Sequence, residues 1–259
     1  MRALRPALVV AAMIALLPAL TWAAPGDPGT GLAATSHDFS NKSVTGGQGQ
    51  TLTTGLCTFC HTPHRALSTL LLWNHTLSTS TFQWDVPTTT AGTTFPTIKG
   101  DTYLGPTAKC LSCHDGSVAV GDVAWFGGGK PASPLDTTQH TWPDPFNIGA
   151  TGGVAGSMKG NHPVAMPYPY QQASNTYNGV TTGNAITSTE WQPTPIAPVR
   201  VFNDNGGGII TAGAVAGKTG IECSSCHDPH NKASVDDFFV RGTLGGNDTN
   251  YICLKCHIK

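Results

Sequence analysis

The sequence predicts a predominantly coil, irregular fold with short helices and few short strands, and three observations predict it. Only 11% of the 259 residues are charged, whereas 31 are Gly and 19 are Pro. Long apolar stripes at the helical period are scarce, so few segments carry the pattern of an amphipathic helix. The eight cysteines fall into four copies of one short motif. A chain so rich in loops buries too little apolar surface of its own to offset the entropy of ordering it. Something else must supply the core.

Residues 1–5, Met-Arg-Ala-Leu-Arg, precede an apolar run over residues 7–20 and then Thr21-Trp22-Ala23-Ala24-Pro25. A positive start, a short apolar centre and small residues before the break predict a secretory signal peptide over 1–24, cleaved near Ala23 or Ala24. The run is shorter than the ~20 apolar residues of a spanning helix. No cysteine stands at the cleavage point to carry a lipid, and no later segment is apolar enough to span a bilayer. The expectation is an exported chain with no membrane span, folded as a single domain over 25–259.

Four motifs divide that domain: Cys57-Thr-Phe-Cys60-His61, Cys110-Leu-Ser-Cys113-His114, Cys223-Ser-Ser-Cys226-His227 and Cys253-Leu-Lys-Cys256-His257. Helix is expected as single turns at these motifs and as a short segment over 66–72. Between the second and third motifs lies a long insertion with Gly runs at 127–129 and 206–208 and Pro-rich stretches at 163–169 and 193–198. Its turn density predicts short hairpins. His61-Thr-Pro-His64 after the first motif is echoed by His227-Asp-Pro-His230 after the third, which suggests two pairs of motifs in series.

Two thiols at i and i+3 can face one side of a helical turn and form thioethers to the two vinyl groups of a haem. The following histidine then presents a ring nitrogen to the iron, the attachment pattern of c-type haem. Zinc ribbons, thioredoxin-like motifs and structural disulfides also use Cys-x-x-Cys or paired cysteines. Histidine decides among them. Ten residues are His, so a chance His after all four pairs has a probability on the order of 10⁻⁶. Export argues against structural zinc, and an oxidising compartment would explain disulfides but not the histidines. The sequence therefore predicts four covalent c-type haems on Cys57, Cys60, Cys110, Cys113, Cys223, Cys226, Cys253 and Cys256, with His61, His114, His227 and His257 as proximal iron ligands. These four apolar bodies are the predicted core.

Six histidines lie outside the motifs: His37, His64, His75, His140, His162 and His230. After signal removal only Met158 and Met166 remain as methionines, so at least two irons cannot be His/Met if all are six-coordinate. Bis-histidine ligation is the expectation throughout, and with it potentials lower than Met ligation gives. His64 and His230, three residues past their proximal histidines, would reach a neighbouring haem rather than their own. His37 and His162 sit in polar, turn-forming contexts and complete the leading distal candidates. His75 is a further candidate, with packing or a haem-propionate hydrogen bond as the alternative, and His140 reads as a surface residue.

Removing Arg2 and Arg5 with the signal leaves 12 basic residues against 15 acidic ones, a net charge of −3 before any haem propionates are counted. Some propionates are expected to pair with Arg65, Arg200 or Arg241, unless those are ordinary surface charges. Nothing here suggests a nucleic-acid partner.

With these residues in hand the chain resembles the doubled Cys-x-x-Cys-His multihaem c-type cytochromes, and among them the OmcE-like tetrahaem extracellular cytochrome filament (nanowire) family. The resemblance rests on Ser36-His-Asp-Phe-Ser40, on 57–64, on Leu72-Trp-Asn-His75, on 110–116, on Asn161-His-Pro-Val164, on 223–230 and on 253–257, which run in order through nearly all of the expected mature chain. It implies a mostly coil fold around a continuous haem chain alternating between stacked and T-shaped pairs, all bis-His. In filament members a histidine from one subunit completes a haem of the next. By motif position the resemblance makes His64 or His37 that ligand here and implies a homopolymer, which leaves five family-like distal histidines for four irons.

Three functions follow as expectations. The first is a subunit of a conductive extracellular filament that passes electrons to redox partner proteins or extracellular acceptors. The second is a monomeric periplasmic or surface electron shuttle with the same ligands. A multihaem reductase is third, because it needs an open iron position and acid/base groups beside it.

Overall fold

The computed structural model describes residues 23–40, 43–66, 70–84, 95–118, 121–132, 148–149, 153–182, 190–206 and 209–258. Nearly all of the expected signal peptide and His140 lie outside them. Most described residues are coil and turn, as the composition predicts.

Strands are two or three residues long. β1 (Ser43–Thr45) pairs with β2 (Thr51–Thr53), and β3 (Thr81–Phe82) with β4 (Ile98–Lys99). The insertion after the second motif builds the largest sheet, in the order β5 (Met166–Pro167), β10 (Thr219–Ile221), β8 (Phe202–Asp204), β9 (Ile210–Ala212), antiparallel throughout. The expected hairpins are here. β6 (Thr176–Tyr177) turns into β7 (Val180–Thr181) through Asn178 and Gly179. Both turn residues have positive φ, 49° and 72°, the pairing that a two-residue hairpin of type I′ demands and that Asn-Gly tolerates best.

Two α-helices occur among the described residues, and both carry motifs. Pro106–His114 contains the whole second motif. Pro at its first turn needs no N–H there, and Gly105 is the N-cap. It buries Thr107, Ala108, Lys109, Leu111 and Ser112, and leaves Cys110, Cys113 and His114 half-buried on another side. Cys223–Cys226 is a single turn at the third motif. The fourth motif forms a 3-10 turn, Ile252–Lys255, and the first a bare turn closed by His61 N–H donating to the Cys57 carbonyl at 2.8 Å. Of the helix expected over 66–72, residues 67–69 lie outside the described residues, and Leu70–Leu72 form a 3-10 turn with φ +64° at Leu71. Its end is bent back because Leu72 O accepts from Thr62 N–H and Leu71 O from the His61 ring.

Apolar packing falls into small clusters beside the motifs. Phe82, Trp84, Ile98, Tyr103, Ala108, Leu111, Met158, Val164 and Ala165 form the largest, against the second-motif helix and Cys223. Phe39, Val44, Phe59, Val123 and Phe126 pack against Cys60. Tyr177, Phe202 and Ile210 form a third cluster. Two of these three clusters sit at cysteines, so apolar packing is divided among the motifs and the four-stranded sheet rather than closed over one centre.

Candidate haem-binding site

A single turn does the local work at every motif. In the first, third and fourth motifs the histidine N–H donates to the carbonyl of the first cysteine at 2.8, 3.0 and 2.9 Å. The second has the same register inside its helix. All eight cysteines are free of disulfides. Burial pushes the thiols of Cys60, Cys113 and Cys256 up to about 12 and that of Cys226 to about 11, with neighbouring cysteines adding to the effect except at Cys113, where Asp115 does. Those neighbours define spatial order. Cys60 lies within electrostatic reach of Cys113, Cys110 beside Cys223, Cys256 near Cys226 and Cys226 near Cys253, so consecutive motifs in the chain are consecutive in space.

The structure brings three of the predicted distal histidines to three motif histidines. His61 faces His230 with ring centroids 6.1 Å apart and planes 24° apart. His114 faces His37 at 6.2 Å and 54°. His257 faces His162 at 6.4 Å and 63°. Two imidazoles sharing one metal through bonds of about 2.0–2.1 Å would have centroids about 6–6.5 Å apart. All three pairs meet that test.

Ring orientation passes a second test. Nδ1–H donates to a backbone carbonyl in His61 (Leu71, 2.5 Å), His227 (Phe238, 2.8 Å), His162 (Pro163, 2.8 Å), His75 (Thr76, 2.9 Å) and His37 (Pro229, 3.3 Å). An imidazole held this way carries its proton on Nδ1 and presents a bare Nε2, the arrangement that orients metal-bound histidines. Burial and the neighbouring His114 push the His37 ring down to about 4, and burial with His162 lowers His257. His37 is therefore neutral at ordinary pH. Aromatic side chains wall the pairs: Phe239 stacks on His37 at 4.6 Å, Trp191 lies 4.3 Å from His257, and Trp73 is edge-on to His61 at 5.9 Å.

The remaining predicted ligands are placed differently. No second imidazole ring is set against His227 among the described residues. His64 is exposed. His75 is buried and held by Thr76 and by the bridge to Val123. Met158 is spent in the apolar core. Arg65 lies over the Trp125 ring at 4.6 Å, and Arg241 is buried in an ion pair with Asp228 at 3.3 Å. No group of three or more His, Cys, Asp or Glu is gathered as a metal centre among the described residues, which is the arrangement a zinc ribbon would need.

Residues 214–259 match the doubled CXXCH motif. The match takes in the third and fourth motifs together with His230 and supports a multihaem c-type cytochrome with covalently bound haem, which suggests an electron carrier. A search of curated proteins finds no match to the chain. No helix among the described residues is long and apolar enough to cross a membrane.

Sequence reasoning missed the residues that place the histidines. Asn74 binds the Thr58 and Trp125 carbonyls through its amide and accepts from Trp125 N–H, tying the first motif to 123–125. Asn231 donates to the Asp27 and Gly31 carbonyls and accepts from Gly29 N–H, docking the N-terminal segment that carries His37. Asp228 accepts N–H bonds from His230, Lys232 and Ala233 and so shapes the His230 turn. Each lies beside a histidine or a motif, which is the only signal the sequence offers.

Proposed function

We propose that this chain holds four covalent c-type haems, each between a motif histidine and a distal histidine, and passes electrons along them in motif order as the subunit of an extracellular filament. The three imidazole pairs at 6.1–6.4 Å carry this reading. On this reading His230 belongs to the iron of His61, His37 to that of His114 and His162 to that of His257. When bound, the haems supply one-electron donors and acceptors. The chain holds the rings through Nδ1 bonds, walls them with aromatic groups and keeps consecutive attachment points in contact. Two imidazoles per iron place the potentials below those of His/Met haems.

His227 supports the filament. Its ring is oriented by Phe238 O, as a ligand's would be, yet no imidazole stands opposite it among the described residues. His64 is exposed and His37 is engaged with His114, so the intersubunit ligand falls to His64 of a second copy. A shuttle would instead complete that iron from within, and His75, buried with its Nδ1 already bonded, favours this second reading.

Two measurements test the proposal. Pyridine haemochrome analysis of the secreted protein is expected to give four haems per chain, all low-spin by electron paramagnetic resonance; fewer haems would overturn the count. Negative-stain microscopy is expected to show fibres that His64→Ala abolishes while leaving one haem high-spin. Discrete particles, with all haems low-spin in that variant, would establish the shuttle.

A further inference from the structure

Glu222, directly before Cys223, is completely buried. Its carboxylate accepts four hydrogen bonds: from the Tyr103 hydroxyl, the Tyr177 hydroxyl at 2.5 Å, and the Thr107 hydroxyl and N–H at 2.5 and 2.9 Å. Thr107 lies in the first turn of the second-motif helix, three residues before Cys110. Its hydroxyl also accepts from Cys223 N–H at 3.2 Å, and Glu222 N–H donates to Ser225 Oγ at 2.9 Å inside the third motif. One carboxylate thus joins the start of one attachment motif to the start of the next, and the Cys110 and Cys223 thiols lie beside one another just beyond it.

The surroundings are built for this contact. Gly220 lets the Tyr177 ring lie on β10, since a Cβ there would stand 2.3 Å from the ring. Burial, followed by the Glu222 charge, raises both tyrosines far above the ordinary range, so they remain donors. Burial likewise raises Glu222 itself, against the pull of its four hydrogen bonds. All four donors are uncharged and directional, and they come from two separate segments, 103–107 and Tyr177. Such an acceptor defines a position more sharply than apolar packing does, because each misplaced donor would be left buried and unpaired.

We propose that Glu222 is the positioning residue that sets the separation and mutual angle of the haems attached at the second and third motifs, and thereby the electron exchange between them. This rests on the haem assignment above. The step moves one electron from a reduced haem to its oxidised neighbour, with no bond made or broken. Glu222 acts only through the placement of Cys110 and Cys223.

The test compares holoprotein of the wild type, Glu222→Gln, Tyr103→Phe and Tyr177→Phe by Soret circular dichroism, with haem content and thermal midpoint measured alongside. An amide in place of the carboxylate turns two acceptor positions into donors facing donors. The expected result is unchanged haem content with a Soret exciton couplet that weakens or inverts in Glu222→Gln and changes less in each tyrosine variant. An unaltered couplet with only a lowered midpoint would overturn the proposal and make Glu222 a stability residue. If Glu222→Gln is not recovered, the tyrosine variants decide on the same criterion. Absence of haem from the wild type would instead defeat the underlying assignment, and the positioning role with it.

Discussion

The rings of His61 and His230 face each other at 6.1 Å although one belongs to the first motif and the other follows the third. The chain therefore brings two imidazoles together from its two halves. His61 is turned by Leu71 O and edged by Trp73, whereas His230 is presented by a turn nucleated on Asp228. Under the proposed assignment, the axial bonds of one iron would staple the N-terminal half to the C-terminal half.

His230→Ala is expected to leave one haem of the four high-spin while the others stay low-spin, read by electron paramagnetic resonance of the ferric protein. His230→Met should instead keep that haem low-spin and raise its potential in a spectroelectrochemical titration. A spectrum identical to the wild type in the alanine variant would show that His230 is not the partner of His61.

Asn231→Ala removes two donors and one acceptor that dock 27–31. The buried Gly31 carbonyl left unpaired costs about 1–3 kcal/mol, so the thermal midpoint should fall. The haem at His114 should become heterogeneous, because His37 arrives on the segment that Asn231 holds. A lower midpoint with a homogeneous His114 haem would separate docking from ligation.

Arg241 and Asp228 have side chains only 1% and 5% exposed. Arg241→Met leaves the Asp228 charge without its ion-pair partner, and breaking a buried pair in this way costs about 3–5 kcal/mol. Chemical denaturation of the holoprotein is the direct measurement. A loss below 1 kcal/mol would mean that the three backbone N–H groups on Asp228 suffice.

A chain produced without haem attachment is expected to lack stable structure, as judged by far-UV circular dichroism and protease sensitivity. Its apolar clusters are small and separated, and its strands are too short to stand alone. A compact, resistant apoprotein would show that the polypeptide carries its own core.

Taken alone, the sequence determined what covalent spacing and composition control. Cys-x-x-Cys-His is complete within one turn, so the motifs with their histidines and the coil-rich character were legible without a fold, as were short hairpins in the turn-dense insertion. The histidine surplus was legible as a number only. Which distal ring meets which motif was decided by tertiary structure, because His37 reaches His114 through Asn231 and a carbonyl of Pro229, contacts that join distant segments and leave no periodic trace. Glu222 was invisible for the same reason: a carboxylate beside a cysteine is unremarkable until Tyr103, Thr107 and Tyr177 converge on it. The same holds at Leu71 and Leu72, which give their carbonyls to the His61 ring and the Thr62 N–H, partners the local sequence does not announce.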